Sequence, residues 1–230
     1  MKGHSMPISN RALPLALMLM GPLFLQPAPG AAQEGTTYRT LTPARPTDSP
    51  GRIEVTDFFS YACPHCAHFA PLLEAWAAKL PKDVALRRVP VGFNRSAWIN
   101  LQRTYYALQA TGAGKLDAAL FHAIHEEQRQ LFDPQSIADW VGKHGGDGAK
   151  FSAAYVSFGV NNATVQADKT AEDFGIGAIP AMAVNGEYVA MADESLGEMA
   201  YLADLLANVD KLIARVRAER AAAKPAGKHP

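Results

Sequence analysis

Only two cysteines occur in 230 residues, Cys63 and Cys66. A framework of disulfide staples is therefore excluded. Covalent c-type haem is excluded too, because it needs a histidine directly after the second cysteine and that position is Ala67. A structural zinc site usually draws on two separated ligand pairs, and no second cysteine pair exists. The nearness of Cys63, His65, Cys66 and His68 nevertheless keeps a metal-handling role open. Excess charge is also missing: Lys+Arg and Asp+Glu both number 22, which leaves no electrostatic footprint for nucleic acid. The apolar run from Ala12 to Leu25 is interrupted by Pro14, Gly21 and Pro22 and falls short of the roughly 20 residues of a membrane span. There is neither an internal repeat nor a heptad array.

What is present begins with an export pattern. Lys2 and Arg11 precede the apolar run, and Gly30-Ala31-Ala32 places small residues before a cut ahead of Gln33. Residues 1–32 read as a cleavable signal peptide, with export to an oxidising compartment where a disulfide can persist. No cysteine precedes Cys63, so a lipoprotein signal is excluded. Removing Lys2 and Arg11 leaves 20 basic against 22 acidic residues, a slightly acidic mature protein. With 48% hydrophobic side chains the chain can bury one good core and a smaller second lobe.

The periodicities give an order of elements. Tyr38 to Leu41 predicts a short strand, and Ile53 to Ser60 a longer one that puts Asp57 on the same face as Ile53, Val55 and Phe59. Cys66, Phe69, Leu73, Trp76 and Leu80 mark a helix ended by Pro81 and interrupted by Pro71. Val84 to Val91 predicts a strand with Arg87 and Arg88 at its middle. A helical block follows: a helix capped by Ser96 with Trp98, Leu101, Tyr105 and Leu108 inside, one through Leu116, Leu120 and Ile124, one opened by Asp133-Pro134, and one through Phe151, Tyr155 and Phe158. His122, His125 and His144 read as surface or packing residues of this block, and Trp76, Trp98 and Trp140 as core. A helix from Val165 to Phe174, a hairpin around Asn185-Gly186 and a long helix from Leu196 to Val216 complete the pattern. An α/β sheet interrupted by an all-helical insertion is the expected fold class.

The organising stretch is Asp57-Phe58-Phe59-Ser60-Tyr61-Ala62-Cys63-Pro64-His65-Cys66, a strand running into a helix. Closing so short a loop stabilises a fold by only about 2 kcal/mol, so chemistry explains the cysteine pair better than stapling. If Cys63 opens the helix, unpaired N–H groups and the positive end of the dipole favour its thiolate, and His65 adds to them. Cys66 lies on the buried helical stripe, the place of a resolving partner rather than of an exposed nucleophile. Asp57, on an apolar strand face, should have a raised pKa and could exchange a proton with Cys66. The alternative for Asp57 is an ordinary strand-end carboxylate.

Cys-Pro-His-Cys after a Phe-Phe-Ser strand, Ile179-Pro180 followed by an Asn-Gly hairpin, and a helical block between them resemble the DsbA family of secreted thiol:disulfide oxidoreductases. The likeness runs from about Tyr38 to Arg220. It implies a thioredoxin fold with an inserted all-helical domain: 33–95 as its first part, 96–164 as the insertion, 165–220 as its second part and 221–230 as a flexible tail. It also implies a redox-active disulfide, Cys63–Cys66, in place of any cofactor or metal, with Pro64 and His65 as the residues between the sulfurs. A low thiol pKa, down to about 3.5 in this family, makes the disulfide a strong oxidant. Many relatives carry Glu where Asp57 stands, six positions before the first cysteine. Ile179-Pro180 resembles the family's cis-proline loop, whose first residue offers its backbone to an extended substrate. By the same resemblance the substrates are reduced exported proteins in the periplasm, a quinone-linked inner-membrane oxidase of the DsbB type is the reoxidant, and the protein is a monomer. An isomerase or reductase of this fold, or a secreted metal- or peptide-binding module using the same thiols, is the alternative.

Overall fold

The computed structural model describes residues 37–223; the expected signal peptide at 1–32 and the tail beyond 223 lie outside the described residues. Within them, β1 (Tyr38–Thr40), β2 (Ile53–Phe59), β3 (Val84–Pro90), β4 (Ala181–Val184) and β5 (Tyr188–Ala190) form one sheet in the order β1-β5-β4-β2-β3. β2 and β3 are parallel and joined by helix α1 (Pro64–Ala77), whereas β4 is antiparallel to both β2 and β5. This is the thioredoxin-type arrangement. The helical block of α2 (Ser96–Ala110), α3 (Asp117–His125), α4 (Pro134–Lys143) and α5 (Gly148–Tyr155) is inserted after β3. Helix α6 (Phe158–Asp173) leads back to the sheet, and α7 (Glu198–Ala223) closes the described chain. None of the described helices is long and apolar enough to cross a membrane.

Every residue of β2 is buried, because helices cover both faces of this central strand. Ile53 and Val55 meet Phe69 and Leu73 of α1 and Leu202, Val209 and Ile213 of α7. Phe58, on the opposite face, packs on Phe174 with ring centroids 5.4 Å apart and joins Ala167 and Ala171 of α6. A third cluster holds Leu101, Leu108, Leu120, Ile137 and Phe151 of the helical block. Phe59, Tyr61, Cys63 and Cys66 belong to that cluster too, so the insertion packs directly on the strand-to-helix corner.

Several expectations hold in detail. Asp133 caps α4, accepting from the backbone N–H of Gln135 and Ser136. The hairpin turn puts Asn185 and Gly186 at φ +57° and +66°, and a Cβ at Gly186 would sit 2.0 Å from the Arg45 carbonyl oxygen, so only glycine fits. Others are corrected. Ser96 is the first residue of α2, and Arg95 takes the cap position without a side-chain bond. Phe158 opens α6 and is 84% exposed instead of closing the fourth helix of the block. That helix begins ahead of Val165, so position 164, expected as the end of the insertion, falls inside it. Leu196 and Met199 are exposed, and the apolar face of α7 starts at Leu202. Ala221 to Ala223 remain helical rather than frayed. Of the tryptophans only Trp140 is fully buried; Trp76 donates to Asp210 at 2.9 Å and Trp98 lies under the Arg95 guanidinium.

Candidate active site

β2 delivers the chain into a tight corner. The Ser60 side chain accepts from Ala62 N–H at 3.2 Å and the Ser60 carbonyl from Cys63 N–H at 3.1 Å, which turns the backbone into α1. Cys63 is the N-cap in extended conformation, and Pro64 occupies the first helical turn, where its missing N–H costs nothing. The first free N–H groups of α1 therefore converge on the Cys63 sulfur.

The two free thiols are electrostatically unlike. Cys63 is lowered from 9.0 to about 6, chiefly by the Cys66 thiol donating to it, then by the backbone N–H groups of Cys66 and His65 and by the His65 charge, all against the opposing effect of burial. This is a smaller depression than the family resemblance implies. Burial pushes Cys66 well up, and the neighbouring Cys63 adds to the rise. The expectation of an exposed Cys63 is corrected: it is 4% exposed against 2% for Cys66, because the Ile179 loop and the helical block close over it. What separates the sulfurs is therefore charge stabilisation.

His65 is exposed; its Nδ1 lies 2.6 Å from Glu198 Oε1 at the start of α7, a contact that raises its pKa and favours the imidazolium. Across from the helix start the Ile179-Pro180 peptide bond is cis, and the Ile179 carbonyl lies 3.7 Å from Cys63 Sγ. Ile179 and Pro180 are half-buried at the entry to β4.

Asp57 is 1% exposed, and burial raises its pKa against the pull of Arg88. It pairs in register with Arg88 on β3, whose Nε donates to Oδ2 at 2.9 Å, while Oδ1 is buried without a hydrogen-bond partner among the described residues. The reading of Asp57 as a solvent-reaching strand-end carboxylate is therefore corrected. Arg88 also binds Asp117 at the start of α3, stacks 3.8 Å over the Phe59 ring, and shares Asp117 with the Tyr61 hydroxyl. His125, at the other end of α3, bonds the Tyr61 carbonyl at 2.7 Å, a packing contact that ties the insertion to the corner. Tyr61, Arg88, Asp117 and His125 were not singled out as site residues from sequence. Only Arg88 left a signal there, as a charge in the middle of an otherwise apolar strand; Asp117 and His125 lie far from the corner in the chain.

A parallel strand-helix-strand unit with vicinal thiols at the helix start and a cis-proline loop opposite defines a dithiol–disulfide protein of the thioredoxin superfamily. The DSBA-like thioredoxin domain family model matches residues 54–203, and the chain belongs to that family. Thiol:disulfide interchange protein DsbA of Bordetella pertussis is 39% identical over 203 residues, covering 88% of this chain and 95% of that protein. The crystal structure of Pseudomonas aeruginosa DsbA is similar with a TM-score of 0.73 at 34% identity, covering 80% of this chain and 94% of that one. Oxidoreductase DsbA from Xylella fastidiosa gives a TM-score of 0.72 at 32% identity, covering 79% and 96%.

Proposed function

We propose that this protein is a thiol:disulfide oxidoreductase that donates its Cys63–Cys66 disulfide to exported proteins. The observation that carries the reading is the placement of two free thiols at one helix start, Cys63 at the N-cap before the free backbone N–H groups and Cys66 buried in the first turn, opposite the cis Ile179-Pro180 bond. A substrate thiolate attacks Cys63 Sγ in the disulfide, a mixed disulfide forms, and Cys66 leaves and takes up a proton. A second substrate thiolate then attacks the substrate sulfur of the mixed disulfide. Cys63 departs as a stabilised thiolate, the two substrate thiols become one disulfide, and their two electrons rest on the reduced Cys63–Cys66 pair. A good leaving group makes an oxidant.

In this reading His65 and Pro64 tune the helix start. Asp57 serves Cys66 as a proton partner through its free oxygen, while its other oxygen is held by Arg88. Ile179 offers its backbone to an extended substrate strand beside Pro180. The thioredoxin parts are 33–95 and 165–220 and the insertion is 96–164, with α6 running across the second boundary, and the chain acts as a monomer in the periplasm after loss of residues 1–32. No separate cofactor is needed, and reoxidation falls to a membrane quinone-linked partner of the DsbB type. Equilibration with glutathione buffers tests the direction of the reaction. An oxidase gives a potential well above the roughly −270 mV of a reducing thioredoxin; a value at or below that makes the protein a reductase.

A further inference from the structure

The thiols do not account for the whole exposed face at the start of α1. His65 and His68, three residues apart, project from one side of the first helical turns, and α7 begins opposite them at Glu198. The Nδ1 atoms of His65 and His68 lie 2.6 and 2.8 Å from the same carboxylate oxygen, Glu198 Oε1. The three donor atoms all lie within 4.8 Å of one another. Two imidazole N–H groups thus crowd one acceptor oxygen at the surface, where hydrogen-bonded ion pairs contribute little to stability. A single divalent cation in place of the two Nδ1 protons would satisfy both nitrogens and the carboxylate at once.

From this convergence we propose that His65, His68 and Glu198 form a binding site for a divalent cation of the zinc class beside the dithiol. Two imidazoles and one carboxylate with a position open to water are a donor set that zinc accepts. Nitrogen donors select zinc, copper or nickel over magnesium or calcium. The site uses neither sulfur, so it is present in the disulfide form as well as in the dithiol form. Its exposure makes the affinity modest.

The test is calorimetric titration of the untagged, fully oxidised protein with zinc chloride, in which the thiols cannot ligate. One zinc per chain is expected, with no competition from excess magnesium. His68→Gln and Glu198→Gln should each weaken binding by at least the roughly tenfold that loss of even an outer-shell partner causes. Their unchanged metal-free melting temperatures show that the fold is intact, and zinc should shift the ring resonances of both His65 and His68. Binding confined to the reduced protein would assign the metal to Cys63 and Cys66 and overturn the proposal. No binding to the oxidised protein, or binding indifferent to both substitutions, would overturn it equally. None of these outcomes depends on whether the protein oxidises or reduces its substrates.

Discussion

Cys63 stands just before the first helical turn and Cys66 inside it, and that displacement of three positions gives the sulfurs different partners. Unpaired N–H groups, the Cys66 thiol and His65 surround Cys63, while Cys66 is enclosed by apolar side chains. Thiolate absorbance of the reduced protein is expected to titrate with a midpoint of about 6. His65→Ala should move that midpoint upward without restoring an ordinary cysteine, because the backbone donors and the Cys66 thiol remain. A titration indistinguishable from a free cysteine would remove the electrostatic basis of the oxidase reading. Cys66→Ser should accumulate mixed disulfides through Cys63, detectable as mass adducts with a reduced substrate; adducts forming instead on Cys66 in the Cys63→Ser variant would reverse the roles of the two sulfurs.

At the scale of elements, the corner is held from two sides. α3 contributes Asp117 at its start and His125 at its end, and both fasten Tyr61, two residues before Cys63. β3 contributes Arg88, which bonds Asp57 and Asp117 at once. Arg88→Met leaves two carboxylates without their cation, one of them fully buried, and is expected to destabilise the protein by about 3–5 kcal/mol in urea unfolding. Adding Asp57→Asn to that variant should recover part of the loss, since the deeper uncompensated charge disappears; no recovery would show that Asp57 is already neutral beside Arg88. His125→Ala strips the Tyr61 carbonyl of its donor and should cost about 1–3 kcal/mol.

For the whole molecule, the lowered thiol ties redox state to stability. The folded dithiol form is stabilised by ionised Cys63, and the disulfide form has no such group. Because the pKa falls from 9.0 to about 6 on folding, this contribution is complete above about pH 9 and is lost as the pH falls through about 6. Its ceiling is about 4 kcal/mol, before solvent screening reduces it. The urea midpoint of the reduced protein should therefore fall relative to that of the oxidised protein from pH 9 to pH 6, and a relative midpoint that does not change with pH would exclude Cys63 as its source.

The sequence by itself determined much of what depends on near neighbours. Cys63, Pro64, His65 and Cys66 follow one another at a strand-to-helix change that hydrophobic periodicity marks, and Asn185-Gly186 announces its turn through the φ values only such residues accept readily. Burial of Asp57 was legible because three apolar residues share its strand face. Only the tertiary structure decided what depends on distant segments: that both sulfurs are covered, that Asp57 is paired with Arg88, and that Asp117, His125 and Glu198 reach the corner from two other helices. No local pattern encodes these contacts, because the partner of a buried charge or carbonyl is selected by how helices pack on the sheet, and the polar residues of the insertion look alike until that packing brings some of them beneath the dithiol.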